Sequence, residues 1–278
     1  MKKILVPCDF SESAIQAYEF AMNLATQSNA EVFVLKVIDL PFIYETSLGT
    51  TPEYFDPGIF KDLEEDAKKK FEELKSKHPQ KEMVTFTAIR GAVTFTINQF
   101  AQDHQIDLIV MGTTGASGLK EYWIGSNTEK VVRFSHAPVL AVRKSFDVSE
   151  IKNIVFPTTL HLDQNDLVSQ IKDLQLFFSA KLHLLLVNTP NNMLRTKDEI
   201  DLMGEFAKHY KLSNYTLSTR NDFNEHDGII NFAHEIKADM IAMGTHGRKG
   251  LAHLFMGSVT EDLVNHVDCP IWSYLVKK

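Results

Sequence analysis

One pattern, written twice, constrains this chain more than any other feature. Met111-Gly112-Thr113-Thr114-Gly115 is followed, after nine residues, by Gly125-Ser126-Asn127-Thr128. Met243-Gly244-Thr245-His246-Gly247 is followed, after the same nine, by Gly257-Ser258-Val259-Thr260. Each copy trails an apolar run that reads as a strand, Leu108-Ile109-Val110 or Met240-Ile241-Ala242. Each ends at a helix start and leads into a proline-headed apolar strand, Pro138 to Val142 or Pro270 to Tyr274. Glycines between a strand and a helix N-terminus leave a surface of backbone N–H groups that accepts phosphate. Two such surfaces imply a duplicated nucleotide-binding domain.

The duplication runs beyond the glycines. Lys3-Ile4-Leu5-Val6-Pro7 matches Asn153-Ile154-Val155-Phe156-Pro157, and Val32 to Val37 matches Leu182 to Val187. Both second strands are apolar at nearly consecutive positions, as strands covered on both faces are. Helical spacing marks Ser13 to Ala25 and Asn165 to Phe178. Pro7 and Pro157 lie 150 residues apart, whereas Gly112 and Gly244 lie 132 apart, so the first copy holds 18 extra residues. The segment Asp39 to Gly58 is the natural place for them, as a lid or contact loop. Further helices are predicted near Ile59 to Lys77 and Thr196 to Tyr210, and strands over Val84 to Ile89 and Tyr215 to Thr219. The order β-α-β-α-β-α-β-α-β, twice, gives an α/β fold with two five-stranded parallel sheets flanked by helices. The expected domains are 1–146 and 147–278, joined by a short polar linker, Arg143 to Glu150. Their last strands are apolar edges expected to pair with each other as an intramolecular pseudo-dimer, with a homodimer as a further option.

Composition narrows the function. The formal net charge of −7 argues against a general nucleic-acid or membrane-surface binder, and leaves room for a local cationic pocket. The apolar run before Pro7 is too short for a signal peptide, and no stretch approaches membrane-spanning length. With only two cysteines, Cys8 and Cys269, the expected location is a reducing cytoplasm.

Ligands of open parallel sheets bind beyond the strand carboxyl ends at the switch in strand order. That gathers Pro7, Cys8, Asp9, Val37 and the stretch from Gly112 to Gly115. The spacing Gly-x2-Gly-x9-Gly-Ser with an N-terminal Val-Pro-x-Asp resembles the ATP-binding branch of the universal stress protein family, in its tandem form. The resemblance implies two Rossmann-like, adenine nucleotide alpha hydrolase-like domains that bind ATP, with Mg²⁺ carried by the nucleotide. It implies that Asp9 faces the adenosine, that Val37 lines the adenine pocket beside Pro7, Cys8 and Met111, and that Gly112, Gly115 and Gly125 admit ribose and phosphates. Ser126 and Thr128 would then offer hydroxyl and N–H groups, with Thr114 and Asn127 at the same rim. In the second half the same roles fall on Pro157, Val187, Met243, Gly244, His246, Gly247, Gly257, Ser258, Val259 and Thr260. There Thr159 replaces the aspartate, so that site is expected to be the weaker.

Each of these residues also has a plainer reading. Asp9 suits a turn or helix cap. Ser126 to Glu129 and Ser258 to Glu261 are capping boxes. Cys8 suits a small buried wall residue. Met111 and Met243 suit core. His246 and His253 lack the cysteines or spaced carboxylates of a metal site. No Gly-x4-Gly-Lys-Ser/Thr loop or base–nucleophile pair points to phosphoryl transfer. The expectation is a nucleotide-binding regulatory module, the alternative a slow ATP-hydrolysing or transferring enzyme.

Overall fold

A computed structural model describes residues 1–39, 57–78, 83–113, 126–144, 146–190, 196–246, 267 and 269–276. The extra segment of the first copy, apart from its ends, lies outside them. So do Thr114, Gly115, Gly125, Gly247, His253, Gly257, Ser258, Val259 and Thr260.

The first half runs β1 (Lys3–Pro7), α1 (Glu12–Ser28), β2 (Glu31–Ile38), α2 (Pro57–Ser76), β3 (Val84–Arg90), α3 (Val93–Asp103), β4 (Leu108–Gly112), α4 (Ser126–Phe134) and β5 (Val139–Val142). The second runs β6 (Asn153–Pro157), α5 (Asn165–Phe178), β7 (Lys181–Asn188), α6 (Thr196–His209), β8 (Tyr215–Asn221), α7 (Glu225–Glu235), β9 (Met240–His246) and β10 (Ile271–Val276). The ten strands form one sheet in the order β3-β2-β1-β4-β5-β10-β9-β6-β7-β8. Pairing is parallel within each half. At the seam β10 runs antiparallel to β5, with Leu140 opposite Trp272.

Alternating side chains send the strands' apolar residues to both faces. Ile4, Val6, Val34 and Leu140 join the helix residues Ala17, Ala21 and Phe71 on one face. Leu5, Leu35, Ile109 and Val139 join Ile97, Phe100 and Val131 on the other. The first of these cores runs across the seam to Ile154, Phe156 and Trp272. The linker is less polar in its role than in its composition: Val148 and Ile151 are buried, and Phe146 packs on the same core. One carboxylate pins the sheet's amino end in each half. Asp107 accepts the N–H groups of Lys2 (2.6 Å) and Lys3 (3.0 Å), and Asp239 those of Lys152 (3.0 Å) and Asn153 (2.8 Å).

The halves differ in how their first helix meets the sheet. Ser11 caps α1 by accepting the Ala14 N–H at 3.3 Å. The buried stripe Ala14, Ala17, Ala21 and Ala25 then lets α1 lie close against β1, β4 and β5. A Cβ on Gly112 would sit 2.4 Å from the Ser13 backbone oxygen, so the glycine is required by this approach. Helix α5 begins three residues later than the repeat predicts from Glu12, and its cap residue Gln164 makes no side-chain hydrogen bond to it. Leu167, Ile171 and Gln175 replace Ala17, Ala21 and Ala25. Here a Cβ on Gly244 would meet the Leu167 Cδ2 methyl at 2.7 Å, the end of a flexible side chain rather than backbone.

Gly112→Ala is therefore expected to destabilise the protein by about 1–3 kcal/mol, the usual cost of overpacking. Gly244→Ala should cost distinctly less, because Leu167 can rotate. Urea midpoints of the two variants compare them directly, and equal losses would contradict the close approach of α1.

Candidate functional site

In the first half the strand order changes direction between β1 and β4, each of which lies beside the other. Beyond their carboxyl ends the chain builds a crevice. From β1 come Pro7, Cys8 and Asp9. The Cys8 N–H donates to the Leu35 carbonyl at 2.9 Å, so the ladder extends one residue past β1. Phe10 then takes a left-handed turn at φ 66°, and Asp9 Oδ1 accepts the Ser11 N–H at 2.9 Å. Asp9 is thus a turn residue whose exposed carboxylate still faces solvent at the crevice, while Ser11 does the capping. Cys8 is buried. Its thiol is pushed up to about 11, chiefly by burial and further by the Asp9 charge, against the pull of its hydrogen bond with the Phe10 backbone and of Lys36.

From β4 come buried Met111 and Gly112, both still within the strand and paired with Ala141 and Val142. The opposite rim is the start of α4. Thr128 is buried and its hydroxyl donates to the Gly112 carbonyl at 2.8 Å. That bond moors the N-terminus of α4 over the end of β4. Ser126 and Asn127 are exposed on its first turn, beside the unpaired N–H groups that every helix start presents. Thr113, next along, is buried with a hydroxyl that has no hydrogen-bond partner among the described residues. Val37 is half-buried at the end of β2.

Two cations complete this end of the sheet, and the sequence pattern did not single them out. Lys36 holds its Nζ 5.9 Å from the centroid of Phe10, and Arg90 is exposed at the end of β3, in register with Ile38. The available signal was a single charge inside an otherwise apolar strand, Val-Leu-Lys-Val-Ile.

The second crevice keeps the backbone and changes the chemistry. Thr158 N–H donates to Leu185 at 3.0 Å, and Leu160 repeats the left-handed turn at φ 61°. Thr158 Oγ1, rather than a carboxylate, accepts the Leu160 N–H at 3.0 Å, and Thr159 is exposed. Leu186 stands where Lys36 stands, and Asn221 where Arg90 stands. Val187 is only 7% exposed, and a Cβ on Gly228 would lie 2.5 Å from its Cγ1, so α7 closes tightly over it. Beside it Asn188 and Glu199, each 2% exposed, form a buried pair. Asn188 Nδ2 donates to Glu199 Oε1 at 2.9 Å and to Asn221 Oδ1 at 3.1 Å. Pro157, Met243 and Gly244 keep their places, and the backbone of His246 ends β9.

Comparison with known proteins places these crevices in a family. The profile of the universal stress protein family matches residues 1–143 and again 150–274. The chain belongs to the universal stress protein family. Universal stress protein MJ0531 of Methanocaldococcus jannaschii is 33% identical over 144 residues, covering 51% of this chain and 82% of that protein. Universal stress protein Slr1230 of Synechocystis is 22% identical over 299 residues, covering 99% of this chain and all of that one. The crystal structure of a universal stress protein from Archaeoglobus fulgidus superposes with a TM-score of 0.74 at 19% identity, covering 98% of both chains, and so shares the fold.

In this universal stress protein Pro7, Cys8, Asp9, Val37, Met111 and Gly112 stand at or just past the carboxyl ends of β1, β2 and β4, and Thr128 ties the first turn of α4, with Ser126 and Asn127, to Gly112. The partner that Gly112 admits is the chain's own Ser13 backbone. Among the described residues no group of three or more His, Cys, Asp or Glu is placed to hold a metal ion. Cys8 is a wall residue, since a buried thiol titrating near 11 stays protonated and unreactive at neutral pH. At pH 8 a thiol reagent such as Ellman's should modify half-exposed Cys269 in the native protein and reach Cys8 only after denaturation. Two fast-reacting native thiols would contradict that placement.

Proposed function

We propose that the first half binds an adenine nucleotide, ATP with Mg²⁺ held through its phosphates, and that the protein is a cytoplasmic stress-response module reporting nucleotide state. The observation that carries this reading is the mooring of α4. Thr128 fixes a helix N-terminus over the strand-order switch, where its N–H groups and partial positive charge meet phosphate. In this reading Asp9 accepts from ribose hydroxyls or the adenine amino group, and Val37 and Met111 form the adenine wall. Gly115 and Gly125 admit the phosphates, and Ser126 and Asn127 cap them. Thr128 contributes its backbone while its hydroxyl stays on Gly112. Lys36 and Arg90 add positive charge at the same end, which favours an anion. No helix among the described residues is long and apolar enough to cross a membrane. Each copy, 1–146 and 147–278, acts as a domain in this reading.

The second crevice is proposed as the weaker site. It has Thr159 in place of the carboxylate, no counterpart of Lys36 or Arg90, and a Val187 already covered. A hydrogen bond to a charged acceptor contributes roughly 1.5–3 kcal/mol, or about ten- to a hundredfold in affinity.

Calorimetric titration with ATP–Mg²⁺ and GTP–Mg²⁺ tests the proposal. ATP is expected to bind with preference over GTP. Gly125→Val should abolish the tighter event and Gly257→Val only the weaker. Absence of ATP binding at millimolar concentration would refute the nucleotide reading, and the reverse pattern of variants would exchange the two halves.

A further inference from the structure

Over the seam lies a cleft of about 650 Å³ whose described lining includes none of the residues named in either crevice. Four lining residues are two matched pairs of the repeat, Leu24 with Leu174 and Leu140 with Trp272. The cleft therefore straddles the axis that relates the halves. The halves are unequal here: α1 lies on the sheet through its alanine stripe, whereas α5 buries Leu167, Ile171 and Gln175 at the matched positions. The cleft runs along α5 and β10 to the amino ends of β4 and β5, where Asp107, Leu108 and Pro138 form its far wall.

Its chemistry differs from that of the crevices. No lysine or arginine side chain is among the described lining residues; the amino-terminal Met1 and His136 line the end near Asp107 and Pro138. Two carboxylates also line it, Asp107 and Asp173, together with the carboxamides of Gln102 and Gln170. Asp107 already accepts the Lys2 and Lys3 N–H groups. Asp173 is exposed, and among the described residues no cation pairs with it. Half-buried Phe177 and Tyr274 supply aromatic surface. Tyr274 stacks on buried Trp272 with ring centroids 6.1 Å apart and planes 8° apart. At the Asp173 end, a carboxylate beside aromatic surface favours a flat positive ion, by ion pairing and by cation–π attraction.

We propose that this cleft is a second ligand site, separate from the nucleotide crevices, for a small flat organic cation such as an aromatic amine or amidine. The ring lies against Phe177 and Tyr274, and the charged head points to Asp173 with Gln170 beside it.

Three probes of one shape and different charge test it: benzamidine, benzamide and benzoate. The chain has two tryptophans, so Trp123→Phe leaves Trp272 as a single indole N–H resonance to follow by NMR. Benzamidine is expected to shift that resonance saturably, with a Kd on the order of millimolar for so small a ligand. Benzamide should bind more weakly and benzoate not at all. Asp173→Asn should weaken benzamidine about two- to fivefold, the range of an exposed ion pair, and excess ATP–Mg²⁺ should leave its binding unchanged. The proposal fails if benzamidine gives no saturable shift, if benzoate binds as well, if Asp173→Asn has no effect, or if ATP abolishes the shift. It fails equally if the resonance moves with protein concentration alone, which would make the cleft an interface between copies. Should Trp123→Phe not fold, saturation transfer to the same probes on the unsubstituted chain and on Asp173→Asn gives the same comparison.

Discussion

The antiparallel pairing of β5 with β10 is the contact on which the rest of the molecule leans. Strand β5 has four residues, all buried, and would be a bare apolar edge without a partner. Pairing gives each half's last strand a neighbour, with Ser273 Oγ donating to the Val139 carbonyl at 3.2 Å across the seam. It also joins the helix-covered faces, so that Leu140 and Trp272 belong to one core. Neither half closes its sheet alone.

Duplication left two copies of one backbone under different constraints. The left-handed corners at Phe10 and Leu160, the extra ladder bonds at Cys8 and Thr158, and the carboxylate pins at Asp107 and Asp239 are the same device in each half. What diverges is the chemistry laid on that backbone. Asp9, Lys36 and Arg90 leave the first crevice polar and open. Thr159, Leu186 and the Asn188–Glu199–Asn221 cluster leave the second furnished with its own hydrogen bonds. Asn188 is the hub of that cluster, its Nδ2 donating both to buried Glu199 and to Asn221 Oδ1, and the set holds together because a lone buried polar group is costly. That cluster therefore resists replacement by an incoming ligand.

Much of this was legible before any coordinates. The eight inner strands read as largely apolar runs, the two edge strands β3 and β8 as mixed apolar and polar ones, and α5 falls on the residues that its periodicity marks. The glycine pattern located the crevice because it tracks backbone geometry. What local spacing does not report are contacts between distant segments. Gly112 is also met by the backbone of Ser13, 99 positions away in the chain. Lys36 meets Phe10 only because a turn brings that ring back over β2. Asn188, Glu199 and Asn221 come from three elements, and no local spacing reports their meeting. The late start of α5 follows from a missing cap: Ser11 has no counterpart able to hold the first turn.

An antiparallel seam in an otherwise parallel sheet gives the molecule two poles. The strands of the first half end at one edge of the slab and those of the second half at the opposite edge. The two crevices thus open at opposite edges of the sheet. A ligand at one pole therefore touches the strand ends of one half, and the other half reaches it only through the shared core and the seam. Fusion of the copies turned a symmetric object into a molecule with a head and a tail.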